Sequence, residues 1–133
     1  HITQLGHVQD LAYAMASILG NKKALAQVYN ISGERYVTFN GIARACAKAV
    51  GKSPDDLKLV HYNPKDFDFG KKKAFPLRMQ HFFADISKAK MDLDWQPQYD
   101  LISGLKESFE KDYLAQNRHE ADLDFSLDNQ ILS

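Results

Sequence analysis

The chain has 133 residues, about one domain's worth, and its 44% hydrophobic and 26% charged residues exclude a disordered, collagenous or low-complexity segment. Seventeen Lys and Arg offset seventeen Asp and Glu, so bulk charge does not support a strongly basic nucleic-acid module and leaves only a local patch to look for. The single cysteine, Cys46, excludes an intrachain disulfide and a Cys-rich zinc site, no apolar run approaches the roughly 18 residues of a membrane-spanning helix, and no signal peptide is visible.

The chain opens at His1, inside an apolar-patterned segment, and is expected to be a processed or truncated chain whose upstream part is missing. Val8, Leu11, Ala12, Met15, Ile18 and Leu19 recur at helical spacing. Gly20-Asn21 tolerates a left-handed stop, and Lys22 and Lys23 suit the negative end of the helix. Val28-Tyr29-Asn30-Ile31 predicts a short strand closed by Ser32-Gly33. Thr38 is the expected N-cap of the next helix. Phe39, Ile42, Ala43, Cys46 and Val50 give that helix one apolar face, with Cys46 buried as a small apolar residue, and Gly51 ends it.

Leu57 to Tyr62 alternates and predicts a second strand, broken at Asn63-Pro64. Residues 65–84 show no clean period and are expected to form an irregular loop with a short helical turn. Asp85 or Ser87 caps a helix to about Leu93, and Trp95-Gln96-Pro97 stops it. Asp100 caps a last helix through Leu101, Leu105, Phe109 and Tyr113, with Glu107 and Lys111 paired one turn apart. A polar, acidic tail follows from Gln116. Alternating helices and strands predict an α/β arrangement. The few strands make Val28–Ile31 an edge piece of a parallel sheet that lies mostly elsewhere.

Four pieces in order carry a family resemblance. His7-Val8-Gln9-Asp10-Leu11-Ala12 resembles an "HVxDxA" helix start. Val28 to Gly33 resembles a "vYNig" strand. Ala84-Asp85-Ile86-Ser87-Lys88-Ala89 resembles "aDxsKA". Leu93-Asp94-Trp95-Gln96-Pro97 resembles "LGWxP", with Asp94 in place of the usual glycine. Together they are similar to the C-terminal portion of the extended short-chain dehydrogenase/reductases, the NAD-dependent epimerase/dehydratase family. The resemblance implies the edge of a Rossmann-like parallel sheet plus a small substrate-side α/β lobe over residues 1–115, a tail at 116–133, and an absent N-terminal Gly-rich half.

Asn63-Pro64-Lys65, Lys72 to Arg78, His81 to Asp85 and the tail from Glu120 to Leu132 bring the chain nearest to the chloroplast stem-loop-binding branch of that family. That branch implies RNA binding, endoribonuclease activity, and a place in plastid transcript and ribosome metabolism. The setting it implies is the chloroplast stroma, or the cytoplasm for a cyanobacterial protein.

A dinucleotide site of this family needs a Gly-rich turn opening a helix. Neither G-x-G-x-x-G nor G-x-x-G-x-x-G occurs, and none of the six tyrosines has Lys four positions on. The chain alone is therefore expected neither to bind NAD(P) in the family manner nor to transfer hydride. NAD(P) is left to the full-length protein, and no catalytic residue is assigned.

Residues 65–90 carry a net +4 and residues 110–128 a net −4. Phe67, Phe69, Phe75, His81, Phe82 and Phe83 interleave with the cations. Cations for phosphates and rings for unstacked bases suit single-strand or loop RNA recognition. Lys71, Lys72, Lys73, Arg78, His81 and Phe82 are the candidate RNA contacts; the other reading is a solvated lysine loop with the phenylalanines in a core. His7 with Asp10 reads as a helix-start pair, Asp10 answering the dipole. His61 reads as a strand histidine. His81 and His119 lack metal-ligand spacing, and Asp66, Asp68 and Asp85 give no specific divalent-ion pattern. The partners expected are RNA and the missing N-terminal half, with homo- or hetero-oligomeric assembly open. The alternatives are the substrate-binding half of a nucleotide-sugar epimerase or dehydratase, and a non-catalytic scaffold.

Overall fold

Ile2–Gln4 forms β1 and Tyr36–Thr38 forms β2, paired antiparallel with Thr3 opposite Val37, in a computed structural model that describes residues 1–70 and 80–133. Strands this short need support from outside the ladder. Phe82 supplies a parallel bridge to Thr3, its N–H donating to the Ile2 carbonyl at 3.0 Å. The buried Gln4 ties in two more segments. Its Nε2 donates to the Gly33 carbonyl at 2.7 Å, and its Oε1 accepts the Ala84 N–H at 2.8 Å. Gly33 donates its own N–H to the Leu5 carbonyl at 3.1 Å, and a Cβ at this position would collide with that same oxygen.

α1 spans Val8–Ser17, its N-terminus closed by His7, whose Nδ1 accepts the Gln9 N–H. The helix is where periodicity places it, but its orientation is reversed. Asp10 and Ala14 are buried, whereas Val8, Leu11, Met15, Ile18 and Leu19 are exposed, Val8 at 72% and Leu19 at 81%. A stripe of small and polar residues faces the core, and the apolar stripe faces outward.

The core beneath α1 is α3, Ser87–Leu93, with Trp95 after it. Ala14 and Ala89 are nearly fully buried, so the two helices approach over small side chains. Asp94 takes the left-handed cap conformation at φ 48°, the position at which the family pattern carries glycine. Trp95, 1% exposed, donates Nε1–H to the Asp10 carbonyl at 3.0 Å. The Asp10 carboxylate accepts the Gln98 N–H at 2.8 Å and the Tyr99 N–H at 3.2 Å. Asp10 thus does more than answer the helix dipole: it holds the chain from Trp95 to Tyr99 across α1.

α2, Phe39–Ala49, is capped by Thr38 on the Gly41 N–H and stopped at Gly51, φ 76°. It packs against α4, Leu101–Ser108, which Asp100 caps on the Ser103 N–H at 2.7 Å and which continues as a π-helical turn, Phe109–Leu114. The buried residues of α2 are Ala45, Ala47 and Ala49. Cys46 is exposed, contrary to expectation, because the helix turns its alanines rather than its larger apolar side chains to the interior.

Two expected strands are absent from the ladders. Val28–Ile31 is extended without a ladder partner among the described residues, so the expected parallel-sheet edge is not formed here. Its alternation survives: Tyr29 and Ile31 pack against the Trp95 cluster, and Val28 points out. Leu57–Tyr62 follows a short 3-10 turn, Pro54–Asp56, and also has no ladder partner among the described residues. His61 consequently stands in an exposed loop, 3.1 Å from Asn40, not in a strand. The tail contains a 3-10 turn, Arg118–Glu120, and α5, Ser126–Leu132. Among the described residues no helix is long and apolar enough to cross a membrane.

Replacing Gly33→Ala should destabilise the protein by about 2–4 kcal/mol, because backbone rather than a movable side chain occupies the space. A urea midpoint unchanged from the parent would show that the approach of residue 33 to Leu5 is not tight.

Candidate nucleic-acid interface

Of the six residues singled out by sequence, Lys71, Lys72, Lys73 and Arg78 lie outside the described residues. The other two, His81 and Phe82, stand at the free side of β1. His81 Nδ1 accepts the Ile2 N–H at 3.0 Å, and its ring lies 5.6 Å from that of His1. The backbone bonds of Phe82 and Ala84 pin residues 81–84 along β1, which leaves the Phe82 and Phe83 side chains 56% and 52% exposed. Tyr36, from β2, sets its ring 5.0 Å from Phe83 and is itself exposed.

The result is a partly open aromatic edge of His81, Phe82, Phe83 and Tyr36 on a backbone held by a three-segment sheet. Exposed rings of this kind offer flat faces to unstacked bases. Tyr36 was not singled out by sequence. The signal was its place in a β-branched run before the Thr38 cap, which reads as a strand only once Ile2–Gln4 is recognised as its partner.

Not all the cations of the 65–90 stretch are available. Lys90 pairs with Glu34 at 2.6 Å. Lys88 sits 4.0 Å above the Tyr29 ring, 3.8 Å from Asp92. Lys65 makes no ion pair within 4.0 Å among the described residues. The carboxylates are locally engaged: Asp66 accepts from Asn63, Asp68 from the Gly70 N–H, and Asp85 from the Ser87 N–H. Hydrogen bonding from Ser87 holds the Asp85 carboxyl below its ordinary range. No group of three or more His, Cys, Asp or Glu is arranged to hold a metal ion among the described residues.

A cleft of about 480 Å3 opens beside the edge, between the Gly33–Val37 turn and the start of α4. Leu5, Val37, Pro97 and Ile102 are among its lining, together with Arg35. Behind it, His7 stacks on Tyr99 at 3.9 Å, with Nε2 2.7 Å from the Glu107 carboxylate. That approach lacks hydrogen-bond geometry. Gly104 leaves room for the His7 ring, whose Cδ2 would lie 3.2 Å from a Cβ there. Glu107 also accepts from Lys111 at 2.7 Å and from Gln9 at 2.7 Å.

No family model matches the chain. Over 132 residues, 99% of the chain, it is 55% identical to the chloroplast stem-loop binding protein of 41 kDa b from Arabidopsis thaliana. It spans about a third (34%) of that relative's length. Among solved structures it is similar to dTDP-glucose 4,6-dehydratase from Bacillus anthracis in complex with NAD, at 22% identity and TM-score 0.60, over 90% of this chain and 33% of that one. UDP-glucuronic acid 4-epimerase from Bacillus cereus with NAD aligns at 24% identity and TM-score 0.59, over 88% and 32%. UDP-glucose 4-epimerase from Bifidobacterium longum with NAD+ and UDP aligns at 19% and 0.59, over 89% and 31%. The resemblance read from the sequence therefore holds along the chain, and its fold is that of a third of these dehydratases and epimerases.

The Lys111 hydrogen bond, with the charges of Lys111 and His7 behind it, holds the Glu107 carboxyl below its ordinary 4.5. A carboxylate depressed on folding stabilises the folded state above its unfolded value and loses that contribution as pH falls through the folded one. Stability should thus fall below about pH 4.5, and Glu107→Gln should flatten that acid limb. Superimposable pH–stability curves for parent and variant would contradict this assignment.

Proposed function

We propose that this protein binds RNA, stem-loops in particular, through the basic and aromatic stretch that ends at the His81–Phe83 edge, and that it does so in the chloroplast. The observation that carries this reading is the 55% identity, over 99% of the chain, to a protein named for stem-loop binding in that organelle. The exposed edge of His81, Phe82, Phe83 and Tyr36 supports it with a surface of suitable chemistry. Lys71, Lys72, Lys73 and Arg78 are the proposed phosphate contacts, His81 and Phe82 the base contacts. Endoribonuclease action on plastid transcripts or ribosomal RNA belongs to the same proposal for the whole protein, with no catalytic residue assigned here.

The polypeptide that makes up the rest of a full-length protein is the proposed partner of the outward apolar stripe of α1 and of Val28. These side chains form a larger exposed apolar surface than isolated surface residues would, and the curated relative is about three times as long as this chain.

The second reading, the substrate-binding half of an NAD-dependent nucleotide-sugar epimerase or dehydratase, is favoured by the fold likeness alone. NAD brings a pyrophosphate that needs free N–H groups at a helix start. Here Thr38 closes α2 on Gly41, Asp100 closes α4 on Ser103, and His7 closes α1 on Gln9. The space a Gly41 Cβ would need is filled by Val37 Cγ2 at 2.7 Å. These three helix starts do not fit the pyrophosphate, and any NAD(P) site of the whole protein is proposed to lie outside this chain.

In the full-length protein, Lys72→Glu, Lys73→Glu and Arg78→Glu together should weaken stem-loop binding by at least tenfold at 0.1 M salt and flatten the salt slope by roughly two to three. Phe82→Ala should weaken binding to the loop while leaving the salt slope intact. Unchanged affinity and slope in the triple variant would mean that the lysines are only solvated.

A further inference from the structure

A row of residues across the three-segment sheet joins Phe82 to a cavity that the RNA contacts above do not use. Phe82 bridges to Thr3, and Thr3 lies opposite Val37. Residues opposite one another in a ladder point to the same face, and successive residues point to opposite faces. Phe82 and Val37 therefore share one face, two strand spacings or roughly 10 Å apart. Tyr36 and Phe83 share the other, in agreement with their ring contact at 5.0 Å. Val37 is part of the lining of the cleft of about 480 Å3, so the cleft adjoins the Phe82 side of the sheet.

A pocket of a few hundred Å3 with apolar lining and a few polar groups is the usual form of a small-ligand site. Leu5, Val37, Pro97 and Ile102 supply the apolar part, and Arg35 and Asp100 line the same cleft with opposite charges. Those two make no ion pair within 4.0 Å of each other. Glu34 also lines the cleft, but Lys90 engages its two oxygens at 2.8 and 2.6 Å. Asp100 Oδ1 accepts from the Ser103 N–H at 2.7 Å and from the Ser103 hydroxyl at 2.9 Å, and Oδ2 accepts from no side chain among the described residues. The Ser103 bonds, and more weakly the Ile102 N–H and the Arg35 charge, hold the Asp100 carboxyl below its ordinary 3.8. The cleft thus offers a guanidinium fork and a carboxylate that are not spent on each other. Tyr99, also in the lining, is fixed by its stack on His7 and by its hydroxyl, which donates to Gln9 Oε1 at 2.7 Å.

A flat ligand with two adjacent acceptors on one edge and N–H donors on another satisfies both charged groups. Guanine has that pattern. Its O6 and N7 accept from an arginine fork, and its N1–H and N2–H donate to a carboxylate. Adenine sets the N6 amino group beside N7, which opposes the fork. Cytosine and uracil each offer a carboxylate a single donor nitrogen.

We propose that this cleft is a guanine pocket, which takes one unstacked guanine of a bound RNA loop between Arg35 and Asp100 while a neighbouring base lies on Phe82. This inference rests on the RNA-binding reading above and adds a base preference to it.

The test uses full-length protein and four stem-loops that share one stem and a uridine loop, with guanosine, inosine, adenosine or uridine at one loop position. Affinity at 0.1 M salt should be about tenfold higher for guanosine than for adenosine or uridine, with inosine, which lacks the 2-amino group, in between. Equal affinities for guanosine and adenosine overturn the proposal. Arg35→Lys keeps the charge and loses the fork. Asp100→Asn keeps an equally good N-cap and loses the carboxylate. Each should bring the guanosine-to-adenosine ratio below about threefold, and a ratio that survives in both variants also overturns the proposal. The ratio is internal to each protein, so a loss of affinity common to all four RNAs does not enter it. Guanosine 5′-monophosphate gives a readout without a stem-loop: at millimolar concentration it should slow amide hydrogen exchange at residues 33–37 and 98–103, and adenosine 5′-monophosphate should not. Equal slowing by both nucleotides, or by neither, contradicts the pocket. If none of the stem-loops binds, the RNA-binding reading fails, while the monophosphate measurement still decides whether the cleft takes guanine.

Discussion

The fold depends on one buried carboxylate. Asp10 is 3% exposed and spends both oxygens on the backbone N–H groups of Gln98 and Tyr99, while its carbonyl accepts the Trp95 indole. A carboxylate this buried is tolerated only when its oxygens are satisfied. Those three bonds cross about ninety residues of sequence and decide where the Trp95–Tyr99 segment runs. Trp95 can then fill the space between α1 and α3, Tyr99 can stack on His7, and Asp100 can start α4 beside α2. The sheet that carries the aromatic edge is held from the other side, by Gln4 reaching Gly33 and Ala84. The exposed rings are thus mounted on a small frame with few spare contacts.

Local chemistry was the most legible part of the sequence. The Thr38 and Asp100 caps, the Gly51 stop, the left-handed Asp94 and the Glu107–Lys111 pair all follow from residue type and spacing, and all are present. Strands were less legible because a strand exists only with a partner. Val28–Ile31 alternates as a strand should, but no described segment offers a ladder to it. Ile2–Gln4 and Tyr36–Thr38 are too short to stand out by pattern, and only their mutual pairing reveals them. The orientation of α1 illustrates the same limit. Hydrophobic periodicity marks a face that prefers burial, yet within this chain Asp10 and Ala14 face the core because the Asp10 bonds require it.

The candidate site divides along similar lines. Charge excess and aromatic interleaving are properties of a stretch, so they could be read from residues 65–90 directly. The grouping of Tyr36 with Phe83 and the engagement of Lys88 and Lys90 in internal pairs depend on distant segments. These contacts alter the site from a row of free cations to an aromatic edge with a smaller set of available charges. The resemblance to a stem-loop binding protein and the likeness to NAD-dependent dehydratases and epimerases are compatible on this view. One fold can host unrelated functions, and the side chains on it decide which.

Amide exchange at Gln98 and Tyr99 in an Asp10→Asn protein tests the role given to that carboxylate most directly. Asparagine keeps one acceptor and turns an NH2 group toward the other N–H, a loss of about 2 kcal/mol. The account predicts exchange roughly thirtyfold faster at these two amides, spreading to the Trp95 segment. Exchange rates equal to those of the parent protein would show that packing alone positions this segment and that Asp10 does not organise the fold.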